Sequence, residues 1–368
     1  MRILLVDGHS EGASRTAAML REQGHDVADF CAGTPRPDPM AAAKAIFGFD
    51  GAPSRLAAAI AEFRPDCVHV LNMHSTASPA LGRMARRMGV RTLWSLHDYR
   101  PLCPAGECRT HDGDVCEECI HGSRRVMLKR CVDGRTFPSF MALLASLYWD
   151  RGRLEQCADV FLTPSAFMRS KLLEAGFPAS RVEVLPTACT DYAGEVTDGR
   201  EDFFCFAGAL TPESGIETLA LAALETGVEL AVCGAGPLME RLRQIAERGL
   251  RVSFYRAEEA PAVFARAKGA VVPSETYLCG ADALALALCS GTPVVASAIG
   301  ELTEAVNPLN GVCFNPGNRE ELEAILRDFD KRHAFKHLRI AEEARRIYSH
   351  TSFLRKLSDY YSDSENYL

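Results

Sequence analysis

The sequence predicts an α/β protein built from two doubly wound, Rossmann-like domains that face one another across a cleft. Short apolar runs alternate with longer helical patterns along almost the whole chain, and strand–helix alternation implies parallel sheets. The apolar runs, as in MRILLVDG, ADVFLTPS, AKGAVVPS and TPVVAS, are continuous rather than alternating, as strands covered on both faces require. The alternation breaks once, at DYAGEVTDGRED (191–202), a polar stretch rich in Gly and Asp that reads as a linker, and restarts beyond it. A chain of 368 residues has room for two domains of ordinary size.

Each element follows in order. In the first domain, 1–190, MRILLVDG is a buried strand ending in Gly, and RTAAMLREQG is a helix with a glycine stop. DCVHVLN is a second strand and SPALGRMARRMG a second helix. RTLWSLHD is a strand whose end carries His97 and Asp98. A loop of about 40 residues with little apolar period follows, and a loop that long needs a staple or is disordered. It contains a Cys-rich insertion at 101–135. ADVFLTPS, SAFMRSKLLEAG and RVEVLP close the domain. The second domain, 203–345, opens with the strand DFFCFAG. It continues through IETLALAALETG, VELAVCGAG, LMERLRQIAERG, APAVFARA, AKGAVVPS, TPVVAS and EELEAILRDFDKR. The last segment, 346–368, is amphipathic at TSFLRKL and polar at its end. Sheets of this kind bind ligands at the carboxyl ends of their strands, so the cleft is the expected site.

The net charge of −7 weighs against a nucleic-acid partner, although Arg124, Arg125, Lys129 and Arg130 form a local basic patch. MRILLVDGH does not read as a signal peptide, and no stretch approaches the ~20 apolar residues of a transmembrane span. The expectation is a cytoplasmic protein. Structural disulfides are disfavoured there, so scattered cysteines such as Cys31, Cys67, Cys205, Cys233 and Cys289 are expected as small core residues.

Four places carry candidate chemistry. In the first strand–helix turn, Gly12-Ala13 permits close backbone approach ahead of a helix starting near Ser14, although a glycine there also serves a plain tight turn. His97 and Asp98, at a strand end, suit either acid–base or orienting work or a hydrogen-bonded loop. In VCGAGPLMERL, Gly234, Gly236, Pro237 and Leu238 join a strand to a helix. Pro237 is placed at the first helical position, and the turn is either a phosphate loop or a structural one. Finally, Cys116 and Cys119 have the spacing of a metal knuckle, and Cys103 and Cys131 flank them. Four thiolates would satisfy a tetrahedral structural zinc, leaving Cys108 spare or an alternative ligand, with His111 and His121 also in reach; free or redox thiols are the alternative.

Taken together, these segments resemble the GT-B glycosyltransferases of the large retaining group that uses nucleotide sugars, the group 1 or family 4-like enzymes. The likeness runs from MRILLVD…GASRTAAMLREQGHDV through SLHDYRPLCP, with its Cys-rich loop, to TPSAFMRSKLLEAGFPASRVEVLP. It resumes with FAGALTPESGIETL, AVCGAGPLMERL, VPSE, GTPVVASAIGELTEAV and NGVCFNPGNREELEAIL. The resemblance implies a nucleotide-sugar donor, a carbohydrate or small-molecule acceptor, a C-terminal segment that crosses back to the first domain, and no catalytic metal.

The resemblance also exposes departures. The family's Gly-Arg-Leu is Gly208-Ala209-Leu210 here, and its Glu-Lys-Gly is Glu213-Ser214-Gly215, so both cations that grip the donor diphosphate are absent. Counting back from Gly291 places the family's two donor-site glutamates at Leu278 and Leu286. Asp282 sits near the start of the ALALALC helix, where it would cap well but repel a phosphate. Arg256, Glu275, Tyr277 and Glu304 remain as polar residues able to rebuild a donor site. Two functions therefore stand: a glycosyltransferase with an atypical donor site, or a non-catalytic relative that binds carbohydrate or a partner transferase.

Overall fold

A computed structural model describes residues 1–7, 10–33, 39–71, 78–122, 125–189, 192, 196, 199–277, 280–332 and 335–362. The chain divides into two compact units, one formed by Met1–Leu185 with the segment from Leu354, the other by Pro186–Phe353.

The first unit contains β1 (Arg2–Asp7), α1 (Ser10–Glu22), β2 (Asp26–Cys31), α2 (Pro39–Ile46), α3 (Ala52–Phe63), β3 (Cys67–Val70), α4 (Ala80–Arg87) and β4 (Arg91–Ser95). After the Cys-rich loop come α5 (Thr136–Tyr148), α6 (Arg151–Leu154), β5 (Val160–Thr163), α7 (Ala166–Glu174) and β6 (Val182–Val184). Its six strands are parallel, in the order β2-β1-β3-β4-β5-β6. β3 and β5 are buried at every residue, as the continuous apolar runs require, whereas edge strand β2 alternates. Cys31, expected in the core, is exposed because it ends that edge strand, while Cys67, Cys205, Cys233 and Cys289 are buried.

The second unit contains β7 (Glu201–Ala207), α8 (Ile216–Thr226), β8 (Glu229–Cys233), α9 (Met239–Glu247), β9 (Val252–Tyr255), α10 (Ala260–Arg266) and β10 (Ala267–Val272). It continues with α11 (Ala281–Cys289), β11 (Val294–Ser297), α12 (Gly300–Ala305), β12 (Gly311–Phe314), α13 (Arg319–Arg332) and α14 (His337–Tyr348). The strand order is β12-β11-β10-β7-β8-β9, again all parallel. Along β7, Phe203 and Cys205 enter one core while Phe204 and Phe206 enter the other, so the sheet is covered on both faces. The expected linker is only partly described, and its Arg200 is fastened to the unit: the guanidinium donates to Ser290 O and Phe264 O at 3.0 and 3.1 Å.

α15 (His350–Ser362) starts in the second unit and ends in the first. There Tyr361 is 1% exposed and its hydroxyl lies 2.7 Å from His69 Nδ1. Ser95 Oγ lies 2.8 Å from the other ring nitrogen, and Arg91 donates to Tyr360 O at 2.7 Å. Burial holds the His69 pKa down to about 3, with the charge of His97 a lesser cause, so this imidazole is neutral.

Candidate functional site: the carboxyl rims of the two sheets

At the carboxyl edge of the second sheet, the strand-end turns interlock through their backbones. Gly208, after β7, donates to Cys233 O at 3.0 Å. Leu210 donates to Ala235 O, and Leu238 to Leu210 O, both at 3.0 Å. A Cβ on Gly234 would meet Gly208 O at 2.0 Å, and one on Gly236 would meet Leu210 O at 2.6 Å. The turn after β10 is bound in the same way. Gly215 adopts φ +70°, a Cβ on it would meet Pro273 O at 1.8 Å, and Glu275 N donates to Glu213 O at 2.9 Å. Glycine is required at these contacts because two main chains occupy the space a side chain would need. The glycines of VCGAGP thus serve turn-to-turn packing. α9 begins at Met239, so Pro237 stands two residues ahead of the helix rather than at its first position.

The candidate polar residues on this rim differ in how they are held. Glu275 is half-buried, and its carboxylate accepts from Thr218 Oγ1 at 3.1 Å. Tyr277 is half-buried and packs on the core, its ring 3.2 Å from where a Gly300 Cβ would lie. Arg256 follows edge strand β9 with an 80% exposed side chain, 3.4 Å from Glu259 of its own turn. Glu304 is an exposed residue of α12. Its charge is a secondary cause, after burial, of Tyr348 being pushed up to about 12. α11 is capped by Gly280, with no side-chain cap bond. Asp282 lies inside the first turn, so it does not cap as expected, although its charge does sit at that helix N-terminus.

In the first unit, α1 starts at Ser10, so Gly12 and Ala13 are inside the helix and not in a turn ahead of it. His97 is exposed just past β4. Asp98 beside it accepts from Arg100 N at 2.9 Å and pairs with Arg100 Nε at 3.1 Å, which fixes the loop.

Residues 7–188 match the model of the "glycosyl transferase 4-like domain" and residues 201–329 that of the "glycosyl transferases group 1". The chain belongs to the group 1 glycosyltransferases. Solved structures agree on the fold, which is GT-B. Sucrose-phosphate synthase of Thermosynechococcus elongatus superposes with a TM-score of 0.69 at 16% identity, over 98% of each chain. Anabaena HepE, solved with UDP-glucose, gives 0.67 at 17% identity over 98% and 99%. A Rickettsia africae glycosyltransferase gives 0.64 at 14% identity over 98% of each. No curated protein matches the sequence significantly.

Measured against the group 1 pattern, Ala209 is exposed on the rim, while Ser214 is 7% exposed and its hydroxyl donates to Thr211 O at 2.7 Å. Leu286, expected at the place of the family's second glutamate, packs on the hydrophobic core of the unit. Leu278 lies outside the described residues.

The cysteine insertion folds against the first unit. Cys103, Cys116, Cys119 and Cys131 line one small cavity, together with Lys129, whose ammonium lies 3.6 Å from Cys116 Sγ. Cys103 is drawn down to about 6, mainly because the Cys108 thiol donates to it, and Cys108 is raised in return. Burial pushes Cys131 up to about 11. Among the described residues, the metal-type ligand atoms that cluster within 4.8 Å of one another belong to Glu117, His121 and Glu174, not to three cysteines. Lys171 already pairs with both of those glutamates, at 2.6 and 3.3 Å. The four sulfurs share a wall, and Cys103 offers a thiolate, but they do not form a preformed tetrahedron.

Sequence reasoning missed the buried His69–Ser95–Tyr361 set and a large apolar cavity beneath the cysteine loop. A signal for the second was present: residues 136–148, TFPSFMALLASLY, contain no charge.

Proposed function

We propose that this protein transfers a sugar from a nucleotide-sugar donor to a carbohydrate or small-molecule acceptor through a donor site of altered chemistry. The observation that carries the reading is the rim of the second sheet. Its turns interlock main chain to main chain at glycines, which fixes the strand-end edge where a leaving diphosphate is held in this fold. Glu275, anchored by Thr218, is the carboxylate proposed at that edge, and Arg256, just past β9, the proposed replacement cation. His97, with Asp98 holding its loop, is proposed for the reacting centre. That HepE has been solved with UDP-glucose supports the donor class. For the cysteine loop we propose a structural zinc held by Cys103, Cys116, Cys119 and Cys131, which line one small cavity.

A second reading has its own observation. Ala209, Ser214 and Leu286 replace two cations and a carboxylate, and Asp282 adds a negative charge at a helix N-terminus. A diphosphate there forgoes charge-assisted hydrogen bonds worth ~1.5–3 kcal/mol each. This favours a non-catalytic relative that binds carbohydrate or a partner transferase. Calorimetric titration of the purified protein with UDP, GDP, ADP and TDP separates the two. Micromolar binding of one nucleotide is expected, and silence across the panel in folded protein refutes the transferase reading.

A further inference from the structure

α5 breaks the usual rule for helices. A helix that is apolar all round is normally buried. α5 carries no charged residue over its 13 positions, yet Ser139 is its one fully buried residue. Its two long faces do different things. Pro138, Met141, Ala142, Ala145 and Ser146, spaced along one stripe, line a cavity of about 510 Å3 within the first unit. Phe137, Phe140 and Leu147, on the opposite stripe, are 63%, 40% and 45% exposed. Leu128, just upstream, is 78% exposed. The helix is shorter than the ~20 residues needed to span a bilayer.

The cavity is roofed by the cysteine loop through Cys119 and Ile120 and floored by Trp94, Trp149 and Phe177. Its charged lining is Arg100 and Arg151, whose Nε atoms pair with Asp98 at 3.1 Å and Glu155 at 3.4 Å, together with the carboxylate of Asp150. Arg125, Lys129, Arg130 and Arg135 lie in the eleven residues before α5, with Asp133 among them, and Arg125 and Lys129 pair with Glu118. Hydrocarbon walls with cations at the rim suit a long apolar chain that ends in a negative group, and an exposed apolar stripe beside basic residues is how a helix lies on an anionic lipid surface.

We propose that this cavity binds the hydrocarbon chain of an anionic amphiphile. The inference stands whether or not the protein transfers sugar, so it and the nucleotide titration fail separately. The two tryptophans of the chain both line the cavity, which provides a direct readout. The intact protein is titrated with 11-bromoundecanoate below its micelle concentration, because bromine quenches indole emission only at close range. Saturable loss of most of the emission is expected, reversed by excess undecanoate, with no loss from bromoacetate at the same concentration. Ala145→Phe, which fills the cavity, should abolish the loss. If that variant does not fold, the undecanoate competition decides alone. Sedimentation with phosphatidylglycerol-containing or pure phosphatidylcholine vesicles then identifies the source. Binding to the anionic vesicles alone assigns a membrane lipid, and no vesicle binding assigns a soluble amphiphile. The proposal is overturned by absent or non-displaceable quenching, by equal quenching from bromoacetate, by equal affinity for the trimethylammonium analogue, or by a dimer that buries α5 and excludes the chain.

Discussion

Adding the cation that the group 1 pattern implies at position 209 tests the proposed donor site most directly. Ala209 follows Gly208 on the exposed rim of the second sheet, so an arginine can be added there without displacing anything buried. Two charge-assisted hydrogen bonds from its guanidinium to a diphosphate would contribute about 3–6 kcal/mol, and ordering the side chain costs about 2 kcal/mol. The net of about 1–4 kcal/mol predicts that Ala209→Arg binds the preferred nucleoside diphosphate roughly 5- to 900-fold more tightly. Ser214→Lys should gain less. Ser214 is 7% exposed and donates to Thr211 O at 2.7 Å, so the lysine forfeits that bond and must leave a buried place. Calorimetry on both variants, with the thermal transition checked in parallel, reads the difference. Unchanged affinity in folded Ala209→Arg for every nucleotide tried would refute the placement of a diphosphate on this rim.

Further outcomes follow from the same contacts. His69 is neutral when folded, with a pKa near 3, and titrates near 6.5 when unfolded, so the unfolded state takes up the proton and stability falls as pH drops below 6.5. Between pH 7.5 and 5 the loss is about 2 kcal/mol, and urea unfolding followed by tryptophan emission should show it in the wild type and not in His69→Gln. Gly215→Ala and Gly227→Ala both place alanine near φ +70°, but only the first meets a carbonyl, at 1.8 Å, while nothing lies within 4 Å of the second. Gly227→Ala should cost about 1–2 kcal/mol and Gly215→Ala clearly more, measured as shifts in the thermal midpoint. Protein purified without chelator should carry one zinc per chain by elemental analysis and lose it in Cys116→Ser; metal-free protein with an unchanged loop would refute the structural zinc.

Much of the fold was legible because parallel strands, covered on both faces, write themselves as continuous apolar runs. The misreadings came from local rules that tertiary contacts override. A glycine in a strand–helix turn was read as a turn position at Gly12, but the helix had already begun at Ser10. Pro237 and Asp282 were placed by helix-end statistics, whereas the turn-to-turn bonds of Leu238 and the cap at Gly280 set those starts one or two residues away. Cys31 looked like a core thiol because sequence does not show which strand lies at the sheet edge. The proposed donor-site replacements were legible only against the family pattern, since nothing in the spacing of Ala209, Ser214 or Leu286 marks them alone. The cavity beneath the cysteine loop was hidden for another reason: its walls come from β4, the loop, α5 and α6, joined only by folding.

The end of α15 has a consequence for how the molecule is made. Tyr361 lies in the core of the first unit, bonded to His69 of β3, and the Tyr360 carbonyl takes the Arg91 guanidinium of β4. Every residue of the second unit must leave the ribosome before those partners arrive. The half of the protein that is synthesised first is thus completed last, and until then it carries a polar vacancy at the centre of its sheet, where a histidine held on one side by Ser95 awaits on the other a hydroxyl from some 290 residues further along the chain.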